Sequence, residues 1–183
     1  MNKKIIFLVL AIFTFTNLFS KTKNILADNT KVSTNVFLEY SLLEIEFFKN
    51  GEGELRKKNV NSTVFGLRQN FKLQNNFILI TSIGISEGFD YNFLSTSLGF
   101  NMSNNFNLMI GGGGYLINDE KWATVGLDGN EPSNLEFGLN FGINLMLNNN
   151  LGISMKYNII EPKEEESNGS MSLNGLSFGI VLK

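Results

Sequence analysis

Residues 135 to 147 read Leu-Glu-Phe-Gly-Leu-Asn-Phe-Gly-Ile-Asn-Leu-Met-Leu. Leu135, Phe137, Leu139, Phe141, Ile143, Leu145 and Leu147 share one parity, and Glu136, Gly138, Asn140, Gly142, Asn144 and Met146 share the other. A period of two belongs to an extended strand, whose side chains alternate between faces, so one side is greasy and the other small or polar. After residue 28 this period recurs, with no sustained 3.6-residue stripe and no apolar run long enough for a membrane helix. The chain is expected to be all-β.

Three polar triplets punctuate the pattern: Gln74-Asn75-Asn76, Ser103-Asn104-Asn105 and Asn148-Asn149-Asn150. Asn tolerates left-handed backbone angles and bonds its own backbone, which suits tight hairpins. The spacing predicts eight strands near 35–48, 60–73, 77–87, 91–102, 106–117, 135–147, 151–160 and 171–182. The links after strands 2, 4 and 6 are the triplets. Those after strands 1, 5 and 7 are long and polar, Lys49 to Asn59, Asn118 to Asn134 and Glu161 to Ser170, while Gly88 to Asp90 is a short exception.

An even number of such strands, with tight turns at one end and longer loops at the other, describes an eight-stranded antiparallel up-and-down transmembrane β-barrel. Hydrocarbon demands closure, because an open edge would leave backbone donors and acceptors unsatisfied. Composition then makes sense. A mean hydropathy of +0.01 averages lipid-facing and lumen-facing positions, and the 17 Phe, 18 Gly and abundant Asn fall respectively to the wall, the lumen and the turns.

The chain resembles the small eight-stranded outer-membrane barrels of Gram-negative bacteria, similar to the outer-membrane protein X, outer-membrane protein W and opacity families. The resemblance covers about residues 32 to 183. It rests on the hairpins Phe100-Asn101-Met102-Ser103-Asn104-Asn105-Phe106-Asn107-Leu108 and Leu145-Met146-Leu147-Asn148-Asn149-Asn150-Leu151-Gly152-Ile153, and on the final strand Leu176-Ser177-Phe178-Gly179-Ile180-Val181-Leu182-Lys183. It is a likeness of architecture. It implies insertion by the outer-membrane assembly machinery, although Leu182 and Lys183 stand where such strands usually end in an aromatic residue.

The first residues read as an address. Lys3 and Lys4 precede the apolar run Ile5 to Phe19, followed by the more polar Ser20 to Asp28, the order of a secretory signal peptide. The run is short of the roughly 20 residues a membrane helix needs. Cleavage after Ala27, with Ser20 as the alternative, gives a leader of residues 1–27 and a barrel domain of residues 28–183. Losing Lys3, Lys4, Lys21 and Lys23 and no acid takes the formal net charge from −2 to −6. The exported protein is expected in the outer membrane, in contact with membrane lipid. Its acidity gives no footprint for nucleic acid.

Assigning the apolar parity to lipid places particular residues in the lumen. In strand 2, Phe65, Leu67 and Phe71 point out, and Gly66, Arg68, Asn70 and Lys72 point in. Strand 7 sends Lys156 inward with Ser154 and Asn158. Strand 1, with Val36, Leu38, Tyr40 and Leu42 outward, sends Glu39 inward, while Glu44 and Glu46 fall on the apolar parity, which calls for a bulge or the barrel rim. Glu39, Arg68 and Lys156 are thus expected to form a polar cluster near mid-barrel, since a charge on the lipid face costs roughly 2–4 kcal/mol at the midplane for Arg or Lys. Such a cluster reads either as a gate or selectivity ring or as a packed polar plug. The plug is favoured because eight strands enclose an interior that side chains just fill. Inward glycines, among them Gly66, Gly111, Gly113, Gly138 and Gly142, either widen the lumen or make room for Tyr115 and Phe37.

Other signals carry less. Gly111-Gly112-Gly113-Gly114 lacks the Lys-Ser or Lys-Thr of a phosphate loop and lies in a strand pattern. Glu161-Pro162-Lys163-Glu164-Glu165-Glu166 has no regular Ca²⁺-ligand spacing and reads as a solvated loop. Asn61-Ser62-Thr63 and Asn168-Gly169-Ser170 match a glycosylation acceptor that means little in a bacterial protein. Trp122 sits in the longest loop, as an adhesive anchor or as packing on the rim. With no Cys and no His, zinc ribbons, thiol chemistry, Ser-His-Asp triads and N-terminal lipidation are excluded. No catalytic residues, cofactor or metal are expected. The expected role is a non-enzymatic barrel that stabilises the envelope and displays its loops, with Trp122, Glu164, Glu165 and Glu166, to a host or envelope partner, adhesion being one such use. The alternatives are a narrow pore for small or apolar solutes and a secreted soluble lipid-binding barrel with the parity reversed.

Overall fold

A computed structural model describes residues 32–48, 55–73, 76–88, 91–117, 135–160 and 171–183. The leader with its Ser20 and Ala27, and the loop residues Trp122, Glu164, Glu165 and Glu166, lie outside the described residues. Eight strands follow one another: β1 Val32–Phe48, β2 Leu55–Lys72, β3 Phe77–Gly88, β4 Tyr91–Asn101, β5 Phe106–Ile117, β6 Leu135–Met146, β7 Leu151–Ile160 and β8 Met171–Leu182. Each pairs antiparallel with its sequence neighbour, and β8 returns to β1, closing the barrel.

The registers fix its shape. Asn35 pairs with Arg68, and the partners continue through Ser82, Ser95, Gly113, Gly138, Ile160 and Leu173 back to β1 at Ile45. The circuit ends at position 45 after starting at 35, a shear of ten residues. With about 3.3 Å per residue and about 4.8 Å between strands, that shear tilts eight strands by about 40° and gives a wall radius of about 8 Å. Every residue on the circuit faces inward, so an unbroken register keeps the two faces separate around the whole wall.

The turn chemistry is local and polar. The Asn148 side-chain oxygen accepts from the backbone N–H groups of Asn150 and Leu151 at 2.8 and 2.9 Å. Ser103 Oγ accepts from Asn105 and Phe106 in the same way. Asn76 takes the left-handed conformation at φ 65°, which Asn adopts at low cost. Turn carbonyls also stitch onto the next hairpin: Asn101 donates to Asn76, Met146 to Asn105, and Lys183 to Asn150. This rim is continuous as well as tight.

Outside, the wall is apolar. Leu38, Tyr40, Leu42, Phe65, Leu98, Ile110, Phe137, Leu139, Phe141, Tyr157, Phe178 and Ile180 are exposed, Phe137 to 68%. In water such a surface would be a liability; against acyl chains it is the solvent-matched face. Apolar side chains hold the outer parity, so the reversed arrangement of a soluble lipid carrier is overturned. Phe71 keeps the outer parity by its pairing with Val32, though it is buried, and Lys72, expected inside, is exposed at the strand end.

Of the bulge or the barrel rim expected at Glu44 and Glu46, the pairing excludes the bulge: it runs unbroken through Glu44↔Asn59 and Glu46↔Lys57 to Phe48↔Leu55. The hairpin simply continues past the apolar band, where Lys57 Nζ meets Glu44 Oε1 at 3.1 Å, both about half exposed. For the same reason β2 starts at Leu55 rather than near residue 60; at 17 and 18 residues, β1 and β2 are the longest strands.

Replacing Phe65 with Arg should lower stability in lipid vesicles by about 2–4 kcal/mol, and Asn61→Arg, nearer the loop end, by under about 1 kcal/mol. Reversible urea unfolding in vesicles measures both. Equal costs would contradict the placement of the apolar band.

Candidate functional site

A barrel of this radius leaves little room inside, and bulk is distributed by pairing large residues with glycine. Phe37 faces Gly66, Phe93 faces Gly84, and Glu39 faces Gly179. A Cβ on Gly66 would overlap the Phe37 ring and the Ile83 carbonyl, and one on Gly84 would come within 2.5 Å of Phe93. Gly138 makes the same allowance for Tyr115, at 2.8 Å. Gly66, Gly84 and Gly138 therefore make room for aromatic rings, Gly142 lies against Met109 and Lys156, and Gly111 and Gly113 lie against the backbone of β4.

The lumen is layered. Toward the turn end it is lined by Asn35, Asn107 and Asn144. Above them lies the charged cluster, then an aromatic layer of Phe37, Phe93, Tyr91 and Tyr115 with neighbouring centroids 5.7–6.3 Å apart. Leu43, Ile45, Ile160 and Leu173, each at 2% exposure or less, close the loop end with Val60 packed against them.

The structure brings Glu39, Arg68 and Lys156 together. Glu39 Oε1 accepts from Arg68 Nη2 at 3.1 Å and from Ser154 Oγ at 3.1 Å, and Glu39 Oε2 accepts from Lys156 Nζ at 2.6 Å. Arg68 also donates from Nη1 to Asn144 Oδ1 at 2.8 Å and from Nε to Ser82 Oγ at 3.4 Å, and Asn144 in turn donates to Asn107 Oδ1 at 3.0 Å. The three charged side chains are almost wholly buried. One carboxylate facing two cations leaves a surplus positive charge. Aromatic faces absorb part of it: Lys156 Nζ lies 5.0 Å from the Phe93 centroid and 5.5 Å from that of Phe37, and Arg68 Cζ lies 5.2 Å from Phe37. A second network ties Ser41 Oγ to Tyr91 Oη at 2.6 Å and to Ser177 Oγ at 2.7 Å, with Asn158 donating to Ser177.

Both oxygens of Glu39 are engaged by cations and a hydroxyl, so the carboxylate is spoken for as a base. Among the described residues, no group of three or more His, Cys, Asp or Glu could hold a metal ion. What the arrangement does is fill and cross-brace the barrel, linking β1, β2, β3, β6 and β7. Sequence reasoning named the charges but not Asn144, Ser154 and Ser82 as their partners. Parity put Asn144 and Ser154 inside, yet which strands face across the lumen follows from the shear. Glu136, on the inward parity, is also buried, at 1% exposure.

Removing the one carboxylate should be costly: Glu39→Gln is expected to destabilise the barrel by about 3–5 kcal/mol, because two buried cations lose their counter-charge. Adding Lys156→Met should recover part of that loss. Urea unfolding of the single and double variants checks this, and strictly additive losses would contradict the coupling.

No family model matches the chain, and no curated protein matches it. Solved structures do. The chain is similar to Neisserial surface protein A (NspA), with 12% identity and a TM-score of 0.51, covering 84% of this chain and 99% of that one. It is also similar to Ail, the attachment invasion locus protein of Yersinia pestis, with 14% identity and a TM-score of 0.42, over 82% and 99% of the two chains. The NanC porin matches with 7% identity and a TM-score of 0.38, over 82% and 100%. At these identities the likeness is one of fold. Closed by its own registers, greasy outside and packed inside, and matching NspA over nearly the whole of that chain, the protein has the fold of the small eight-stranded outer-membrane β-barrels.

Proposed function

We propose that the protein is a non-enzymatic integral component of the outer membrane, exported on its N-terminal leader, that stabilises the envelope and presents its long loops to a surface partner, adhesion being the use we favour. The observation that supports this reading is the filled lumen. Charged, aromatic and aliphatic layers succeed one another along the barrel axis, each braced across several strands. Transport of a solute would require dismantling a buried ion-pair network, whereas a rigid plugged barrel is suited to holding loops in place. The sequence concentrates its acids and its single Trp in segments 118–134 and 161–170, and these carry Trp122, Glu164, Glu165 and Glu166.

Replacing 118–134 and 161–170 with short turns should leave the heat-modifiable band on electrophoresis unchanged and abolish adhesion of cells that express the protein. Loss of folding would remove the basis for treating the loops as cargo. Planar-bilayer recording of the refolded protein should show no conductance steps above background, and steps that vanish in a Phe93→Trp variant would favour the narrow pore.

A further inference from the structure

The outer wall is two different surfaces. At a strand tilt of about 40°, each residue advances about 2.5 Å along the barrel axis and the perpendicular climbs about 3 Å per strand. On that scale Phe141, Tyr157, Phe178, Tyr40 and Phe65, each 41–57% exposed, form one belt around β6, β7, β8, β1 and β2, close to the middle of the apolar band. On β3, β4 and β5 the outer positions around that level are Thr81, Thr96, Gly112 and Gly114 instead. Thr81 pairs with Thr96, and Thr96 with Gly112, so the strip is continuous, and exposed Leu98 and Ile110 border it toward the turn end. Packing within the barrel does not require it: a Cβ on Gly114 would meet only the Leu135 side chain, at 3.3 Å, whereas one on inward Gly113 would strike the β4 backbone at 2.3 Å. Gly114 thus leaves a recess on the lipid side. Thr81, 3% exposed, has a hydroxyl without a hydrogen-bond partner, and the exposed Thr96 stands opposite it, about 5 Å away between Cβ atoms.

We propose that this strip is a self-association surface, on which a second copy of the chain packs within the membrane as a two-fold dimer. Small residues let two walls approach closely, and hydroxyls in hydrocarbon gain by bonding across the contact. The membrane selects the occupant. Insertion fixes both the depth and the direction of every copy, so two copies meet about an axis along the membrane normal, and each strip faces itself at its own height. A hydroxyl is donor and acceptor at once and therefore complements its own copy, which an acyl chain cannot do. The strip carries no charge to repel its twin, and the belt of rings on the other strands has no such recess. Three strands span about 14 Å and the apolar band about 25 Å, so each copy buries roughly 350 Å², well under the roughly 800 Å² per partner of a stable complex. The dimer is accordingly reversible and depends on protein density. The inference takes nothing from the proposed surface role beyond the barrel's place in the membrane.

The test uses the full barrel refolded in lipid vesicles and labelled through Asn149→Cys, in a chain that has no other cysteine. Energy transfer between donor- and acceptor-labelled copies is read as lipid is added. It should exceed the transfer of random mixing and fall along a monomer–dimer curve. Thr96→Val, which keeps the shape and removes the hydroxyl, and Gly114→Leu, which fills the recess, should each weaken association about fivefold or more. Thr96→Ser and Phe178→Leu should leave it unchanged. Oxidation of a chain carrying Thr96→Cys alone should join two copies, and oxidation of one carrying Phe178→Cys alone should not. The heat-modifiable band on electrophoresis shows that each variant is folded before it is compared. Transfer no greater than random mixing would overturn the proposal and leave the strip to acyl chains. So would association that neither Thr96→Val nor Gly114→Leu changes, which puts the contact elsewhere on the wall.

Discussion

Everything in this structure follows from the requirement that no backbone amide be left unpaired where water is absent. In hydrocarbon, each unsatisfied N–H or C=O costs several kcal/mol, and a strand ladder satisfies them only if its last strand meets its first. The β1–β8 pairing, which runs from Val36↔Leu182 to Phe47↔Met171, is thus the contact on which the other seven depend. Closure at a shear of ten then sets the radius, the radius sets the room inside, and the room inside calls for glycine against several of the large inward residues, as at Phe37, Phe93 and Tyr115.

The charged cluster is a consequence of the same geometry. Polar residues cannot face lipid, and a narrow lumen cannot hydrate them well, so they must pair with one another. Glu39 serves as the hub because it alone in the cluster is negative. The excess cation is tolerated because Phe37 and Phe93 offer π-faces at about 5 Å. Buried ion pairs of this kind seldom add much net stability over a well-packed apolar core; here they brace strands whose opposition the shear sets.

The sequence made much of the fold legible, for reasons that can be traced to particular residues. Residues 135–147 alternate without a break, so both faces of β6 could be read directly. The triplet at 148–150 marks a turn because Asn148 can cap the chain it belongs to. Inward Glu39, Arg68 and Lys156 followed from parity alone. What parity could not supply was the stagger between strands. Asn144 reaches Arg68 only because the perpendicular to the strands climbs as it goes round, and nothing local to either residue encodes that climb. The start of β2 was placed too late for a related reason: Lys57 looks like a loop residue in isolation, and is a strand residue because the β1–β2 register pairs it with Glu46 and its charge meets Glu44.

The pairing of bulk with absence inside the barrel has an implication for how such a sequence can change over time. Phe37 with Gly66, Phe93 with Gly84 and Tyr115 with Gly138 share fixed volumes, so neither member can enlarge unless the other shrinks. Substitutions in the lumen should therefore travel in couples, large and small trading places across neighbouring strands, while the lipid-facing wall drifts freely among Leu, Ile, Phe and Val. The interior of this protein would then keep a record of its topology, in correlated exchanges, long after the exterior had lost any trace of ancestry.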